Sequence, residues 1–143
     1  MAYTGRCNCG AVTLSIEGEP IATRQCWCRQ CQKIAAGGAT HNAMFPTEAV
    51  TIQGERAESH YVAASGNTLT QEFCPSCGTH VLGRSSARPQ FRTVRMGMLD
   101  EGHGLAPSMA IWLDDAPSYA VVPDGVETWP RQPPAPLLPG AGR

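Results

Sequence analysis

Apolar and polar residues alternate over short stretches of this chain, and no stretch keeps a helical period for long. Alternation with a period of two places every second side chain on one face, which is typical of a half-buried β-strand. Gly, Pro and Asn bound most of these stretches, as they do at strand ends. The predicted strands are residues 11–16, 41–46, 50–53, 60–63, 69–73, 79–83, 91–99 and 109–113. The pattern therefore predicts an all-β fold.

Helical signals are confined to two short segments. Residues 30–36 favour one or two turns of helix, and TEAV at 47–50 favours a single short turn. Residues 126–143 are rich in Pro and Gly, which exclude a helix or a central strand. We predict one domain over residues 1–125 and a C-terminal tail over 126–143, either flexible or an extended strap across a neighbouring element.

Length and charge restrict the classes of function. The 143 residues suffice for one domain with its own core, and a formal charge of −1 gives no general attraction to nucleic acid or an acidic membrane. No segment reaches the roughly 18 apolar residues of a membrane helix, and the N-terminus MAYTGRCNCG lacks the pattern of a secretory signal. We expect a cytoplasmic protein. A local arginine cluster forms either a solvated face or a grip for an anion: Arg84, Arg88, Arg92 and Arg95.

Seven cysteines carry most of the chemical information, and an odd number excludes complete internal disulfide pairing. Reducing thiol pools also disfavour disulfides in the cytosol, so metal binding is the better interpretation. The cysteines form two sets. The cysteine quartet comprises Cys7 and Cys9 in CNCG with Cys74 and Cys77 in CPSCG, and the cysteine trio comprises Cys26, Cys28 and Cys31 in CWCRQC.

The quartet has the donor set of a closed structural zinc site. Cys-x-x-Cys-Gly is a zinc knuckle, in which Gly78 suits a positive φ and backbone N–H groups turn toward the sulfurs. A redox dithiol is the alternative, but that motif usually opens a helix, whereas a predicted strand follows here. In extended chain Cys7 and Cys9 point to the same face, which supplies the two remaining ligands. Zinc would thus join segments more than sixty residues apart.

The trio leaves three interpretations open. Three protein ligands and one vacant position are the arrangement of catalytic zinc. A histidine could instead close the site, and His41 is a better candidate than His60, His80 or His103 because it lies ten residues after Cys31. The third possibility is a set of bare thiols.

An open three-thiolate site favours thiol chemistry over water activation. Three thiolates on a divalent ion leave a net charge of −1, which makes the ion a weak Lewis acid but a good partner for a fourth soft ligand. Lys33 and Arg29 either offset this charge and hold a substrate carboxylate or are ordinary surface residues. Trp27 points away from the neighbouring cysteines in extended chain, so we expect it in the core.

The order GRCNCGAVTLSIEGEP, CWCRQCQK, EFCPSCGTHVLG, VRMGMLD and PSMAIWLDDAP resembles the glutathione-dependent formaldehyde-activating enzyme family, also called the centromere protein V/Gfa domain family. The likeness runs from about Tyr3 to about Val122. It implies a compact, zinc-stapled fold of several short antiparallel sheets, like that of Rab-binding zinc proteins and B-type methionine sulfoxide reductases. Trp27 departs from the family's usual Cys-His-Cys motif, and Gln32-Lys33 stands where Arg-Lys is usual.

The resemblance also implies a function. The quartet would hold a structural zinc and the trio a second, catalytic zinc, giving two per chain. Because the trio has only three protein ligands, we expect it to lose its zinc more readily. The implied activity is that of a carbon–sulfur lyase, which joins formaldehyde to glutathione as S-hydroxymethylglutathione or cleaves the adduct, with glutathione as co-substrate. The alternative is a non-catalytic zinc module that binds a protein partner; nucleic-acid binding is disfavoured by the near-neutral charge. We expect a small thiol and a carbonyl compound as partners, and no membrane.

Overall fold

A computed structural model describes residues 2–63 and 65–137, and strands dominate this part of the chain. The strands are β1 (Ala2–Arg6), β2 (Thr13–Glu17), β3 (Ala22–Cys26), β4 (Thr40–Pro46), β5 (Val50–Gln53), β6 (Ala57–Val62), β7 (Thr68–Phe73), β8 (His80–Ser85), β9 (Phe91–Arg95), β10 (Met109–Ile111) and β11 (Glu127–Thr128). Helix α1 spans Arg29–Ile34, and short 3₁₀ turns span Thr47–Ala49, Met96–Met98 and Leu113–Asp115. The all-β prediction is confirmed, as is the turn near residue 47; the short helix predicted at residues 30–36 is also present, but it begins at Arg29 and so includes Cys31 of the trio.

The strands form two sheets. β1, β2 and β5 make an antiparallel three-stranded sheet with β2 in the centre. The other strands form an eight-stranded sheet in the order β11-β10-β3-β4-β9-β8-β7-β6. This sheet is antiparallel except at β10, which runs parallel to both β3 and β11.

Three strands were not predicted from the sequence. β3 is hidden because its buried residues include the polar Arg24 and Gln25, which break the apolar signal. β1 is short and contains Gly5, and β11 has only two residues. Two predicted strands are also too long: the segments 91–99 and 109–113 end as strands at Arg95 and Ile111, and each continues into a 3₁₀ turn.

The main core lies between the two sheets. Alternation in β1 and β2 turns Tyr3, Leu14 and Ile16 inward, and they belong to one cluster with Phe45 of β4 and Val94 of β9. The ring centroids of Tyr3 and Phe45 are 5.9 Å apart. The small sheet therefore covers an apolar area on one face of the eight-stranded sheet.

The opposite face of the eight-stranded sheet is unusually polar. Asn42 of β4 is paired with Arg95 of β9, and Gly83 of β8 is paired with Gln71 of β7. The side chains of Asn42, Arg95 and Gln71 are buried, as is that of Thr40. Because side chains alternate along a strand, these residues point away from the apolar core.

The chain after β11 runs in extended form beside β10. The Trp129 N–H donates to the Ala110 carbonyl at 2.9 Å, and the Trp112 indole donates to Gln132 at 3.0 Å. This part of the tail has the course of a strap, whereas residues 138–143 lie outside the described part of the chain. The division into a domain and a tail at residue 125 stays a prediction.

The longest helix in the described ranges, α1, has six residues. None of the helices described is long and apolar enough to cross a membrane.

Candidate metal centres

The cysteine quartet brings four sulfur atoms together from two distant segments. All four sulfurs lie within 4.8 Å of one another, and the cysteines are free thiols. The Cys9 Sγ atom is 3.6 Å from that of Cys7 and 3.7 Å from that of Cys74. A tetrahedron with zinc–sulfur bonds of about 2.3 Å has edges of about 3.8 Å, whereas a disulfide needs about 2.05 Å. The donor set therefore fits zinc and excludes disulfides within the quartet.

Two tight turns position the quartet. Cys7 and Cys9 lie between β1 and β2, and the Gly10 N–H donates to the Cys7 carbonyl at 3.0 Å. Cys74 lies in the matching turn between β7 and β8. Gly10 has a φ of 82° and Gly78 a φ of 76°, so the positive φ predicted at Gly78 is confirmed. The prediction that Cys7 and Cys9 lie in extended chain was wrong, because the Gly10 hydrogen bond folds this segment into a turn.

Donors surround the sulfurs of the quartet, as predicted for the knuckle. The Val12 N–H donates to Cys7 Sγ at 3.2 Å, and the Cys77 N–H lies 3.5 Å from Cys74 Sγ. The Thr79 hydroxyl, 3.2 Å from Cys77 Sγ, and the Thr79 N–H lower the pKa of Cys77 to about 5. Such donors stabilise thiolates, the form in which cysteine binds metal.

The cysteine trio is built where β3 passes into α1. Cys26 is the last residue of β3, Cys28 is the N-cap of α1 and Cys31 lies within the helix. The Cys31 N–H donates to Cys28 Sγ at 3.2 Å, in the manner of a helix cap. The three sulfurs lie within 4.8 Å of one another, so this set too could hold a metal ion.

Among the described residues, no histidine or carboxylate completes this set. His41, the favoured candidate for a closed site, is paired with Gln25 in the β3–β4 ladder, whereas Cys26 is paired with Thr40. His41 therefore faces the opposite side of the sheet. The other histidines make contacts elsewhere: His60 with Thr70 at 2.9 Å, His80 stacked on Phe73, and His103 accepting from the Leu105 N–H at 2.9 Å.

The three sulfurs of the trio shift one another's pKa. Hydrogen bonds from Cys26 and Cys28 lower the pKa of Cys31 to about 3, and the Thr40 hydroxyl and the Arg95 guanidinium act in the same direction. The same sulfur contacts, together with burial, raise the pKa of Cys26. Burial and the negative charge of the trio also raise the pKa of Tyr61, a half-buried residue of β6. One thiolate is thus favoured before any metal binds.

The buried position of Arg95 differs from the solvated arginine face that the sequence allows. Arg95 is only 8% exposed, and its guanidinium donates to Asn42 Oδ1 and Gln71 Oε1. Arg92 is three positions earlier on β9 and lies on the other face, in a cavity of about 380 Å³ with Arg84. Strand alternation therefore splits the predicted cluster.

Trp27 is buried, as expected, and it lines a cavity of about 580 Å³ behind the trio. Its indole donates to Gln25 Oε1 at 3.1 Å, and the Gln25 amide donates to the Val121 carbonyl at 3.1 Å. Tyr119 lines the same cavity and donates to the Gly37 carbonyl at 2.7 Å. Trp27 thus joins the trio segment to the chain after β10.

Gln32 is another structural residue that the sequence did not reveal. Its buried amide donates to the Trp27 carbonyl at 2.8 Å and to the Asp115 carbonyl at 2.9 Å. Arg29 donates to Gln32 Oε1 at 2.6 Å, and both Arg29 and Lys33 are exposed on α1. The predicted role of Arg29 and Lys33 in binding carboxylates stays a prediction.

A solved relative shares this fold. The crystal structure of a protein from Rhodobacter sphaeroides superposes with a TM-score of 0.56 and 21% sequence identity, over 88% of this chain and 98% of that one. At this identity the likeness concerns the fold alone.

A family model adds direct sequence evidence. The model described as glutathione-dependent formaldehyde-activating enzyme matches residues 2–115, a range that contains both cysteine sets and the strands that place them. The matched range is similar to the range from about Tyr3 to about Val122 over which the sequence motifs resemble the family. The chain therefore belongs to the glutathione-dependent formaldehyde-activating enzyme family.

Proposed function

We propose that this protein is a zinc-dependent enzyme of the carbon–sulfur lyase type, which joins glutathione or another small thiol to formaldehyde or a related carbonyl compound, or cleaves the adduct. The observation that carries the proposal is the trio itself, three convergent sulfurs without a fourth histidine, cysteine or carboxylate ligand among the described residues. Zinc bound there would keep an incoming thiol in its thiolate form. The chain belongs to a family described by this chemistry.

The reaction balances without an oxidant or a reductant. A carbon–sulfur bond forms between the thiol sulfur and the carbonyl carbon, and the thiol proton ends on the former carbonyl oxygen. In the reverse reaction the carbon–sulfur bond breaks, and the proton returns from the hydroxyl oxygen to the thiol sulfur. The quartet would hold a second, structural zinc, which we expect to be retained more firmly because it has four protein ligands instead of three. The seven free cysteines suit a reducing compartment, and we propose a cytoplasmic location.

Exposed cations on α1 supply a place for the carboxylates of glutathione. Arg29 and Lys33 are four positions apart, so they lie together on the exposed side of α1, the helix that carries the buried Cys31. We expect Arg29→Ala and Lys33→Ala to raise KM for glutathione and to leave KM for 2-mercaptoethanol, which has no carboxylate, nearly unchanged. An equal rise in KM for both thiols would refute the binding of glutathione carboxylates by Arg29 and Lys33.

NMR exchange spectroscopy of formaldehyde and glutathione tests the reaction, because it measures exchange between free and adduct forms at equilibrium. We expect zinc-loaded protein to accelerate the exchange and Cys28→Ser protein not to. Exchange at the uncatalysed rate with wild-type protein would refute the formaldehyde reaction. A cobalt-substituted trio with four protein ligands and no response to added thiol would favour a non-catalytic zinc module.

A further inference from the structure

A chain of hydrogen bonds connects the buried Arg95 with Thr40, which lies beside the trio. The Arg95 guanidinium donates to Asn42 Oδ1, and the Asn42 amide donates to Thr40 Oγ1 at 3.0 Å. Thr40 is buried and lies directly opposite Cys26 in the β3–β4 ladder, so its hydroxyl is on the face that carries the trio. The two hydrogen bonds thus run from β9 across β4 toward the trio.

Arg95 lacks an ordinary counter-charge. No carboxylate of the described residues forms an ion pair with it, although five such pairs involve other residues. Its other guanidinium contact is the neutral Gln71 amide, and its Nε atom is buried without a hydrogen-bond partner. A buried cation is unfavourable unless a negative group lies nearby. The groups whose negative charge acts on Arg95 are the sulfurs of the trio, with Cys31 first, and after them the Tyr61 hydroxyl.

The charge of the trio explains why such a cation is useful. Three thiolates and one divalent ion sum to −1, and a thiolate as fourth ligand brings the sum to −2. The incoming thiolate would therefore be repelled by the negative charge of a largely buried site. With Arg95 included, the sums become 0 and −1. Arg24 is a second buried cation on this face, two residues before Cys26, but no hydrogen bonds link it to the trio among those described.

We propose that Arg95, acting through Asn42 and Thr40, is the positioning residue that allows the metal-loaded trio to accept an anionic thiolate as its fourth ligand. This inference rests on the proposed function, because it assumes that a metal-bound trio takes up a thiol. It assigns to β9 and β4 the residues that set the charge of the centre, while the ligands come from β3 and α1.

Cobalt(II) in the trio, with zinc kept in the quartet, provides a spectroscopic test. The three cysteine sulfurs already give a sulfur-to-cobalt charge-transfer band. Glutathione is titrated into each protein, and the change in this band reports binding of a fourth thiolate without any turnover. The variants are Arg95→Gln, which removes the charge, and Arg95→Lys, which keeps it. Arg92→Gln is the matched control, because Arg92 lies on the same strand but on the opposite face and contacts the Thr47 hydroxyl and nearby carbonyls.

We expect Arg95→Gln to weaken glutathione binding at least about tenfold, because a full charge is removed from a site of low dielectric. Arg95→Lys should restore most of the affinity, and Arg92→Gln should match the wild type. Wild-type affinity in Arg95→Gln would overturn the inference, and so would an Arg95→Lys protein as weak as Arg95→Gln. A wild-type protein whose band does not change on addition of glutathione would contradict the proposed function instead, so the two failures are distinguishable.

Thr40→Val keeps the test decisive if Arg95→Gln does not fold. This variant nearly preserves the shape of the side chain and removes the last donor before Cys31. Retention of zinc by the quartet and a cooperative thermal transition establish that the variant is folded. We expect weaker glutathione binding and a shifted charge-transfer band. A folded Thr40→Val protein with wild-type affinity and spectrum would refute the relay.

Discussion

Metal in the quartet should stabilise the fold much more than metal in the trio, because the two sites close chain loops of very different length. Cys9 and Cys74 are 65 positions apart, whereas Cys26 and Cys31 are five apart. Treated as cross-links that restrict the unfolded chain, these loops contribute about 4 and about 2 kcal/mol. For a protein of this size 1 kcal/mol corresponds to about 2–4 °C in Tm.

The variants can be chosen so that little packing is lost. Cys9→Ser combined with Cys77→Ser removes one sulfur from each turn of the quartet and spares Cys7 and Cys74, which are 1% and 0% exposed. Cys28→Ser removes the half-buried member of the trio. With excess zinc, we expect Tm to fall by about 8–16 °C in the first protein and about 4–8 °C in the second.

Circular dichroism melts with parallel zinc analysis measure both quantities in the same samples. The double variant should hold one zinc per chain fewer than the wild type and should melt at the lower temperature. Equal decreases in Tm, or a larger decrease in Cys28→Ser, would refute the view that metal in the quartet stabilises the fold by cross-linking distant segments. A double variant that keeps its full zinc content would refute the ligand assignment.

Three further predictions concern single features. Gly54→Ala should destabilise the protein more than Gly18→Ala in chemical denaturation, because both glycines have positive φ but only a Cβ at Gly54 would meet a backbone atom, the Ala11 carbonyl oxygen at 2.2 Å; equal losses would contradict this. Gln32→Ala should cost about 1–3 kcal/mol in the same assay, because it leaves the Trp27 and Asp115 carbonyls without a donor; a change below about 0.5 kcal/mol would remove Gln32 as an anchor of the trio segment. In metal-free protein at pH 6, iodoacetamide should modify Cys77 before the more exposed Cys9, because the pKa of Cys77 is lowered to about 5 and that of Cys9 raised to about 11, so only Cys77 is largely thiolate; mass spectrometry showing Cys9 modified first would contradict the assignment.

The two cysteine sets could be predicted from sequence because each is made of short local motifs. A Cys-x-x-Cys-Gly turn fixes two sulfurs within five residues, and an odd total of cysteines excludes full pairing. The two sets form as expected, although the segment at Cys7 is a turn. The strand β3 escaped prediction for a local reason too, because polar residues occupy its buried positions.

The surroundings of the trio could not be predicted, because they depend on pairing between distant strands. Arg95 meets Asn42 only through the β4–β9 register, 53 positions apart in sequence, and Gln71 only through the ladders around β8. No local pattern marks Arg95 as different from Arg92. The alternation of β9 puts the two arginines on opposite faces. Which of the two faces the trio can be decided only when the pairing of β9 with β4 is known.

The two faces of β4 and β9 separate folding from chemistry at neighbouring positions. Ala43, Phe45 and Val94 pack against the small sheet, while Thr40 and Arg95 point toward the trio. A combinatorial library that varies only the residues facing the trio can test new carbonyl substrates, while the packing against the small sheet stays unchanged. Directed evolution of substrate range should therefore find its productive changes at every other residue of these strands.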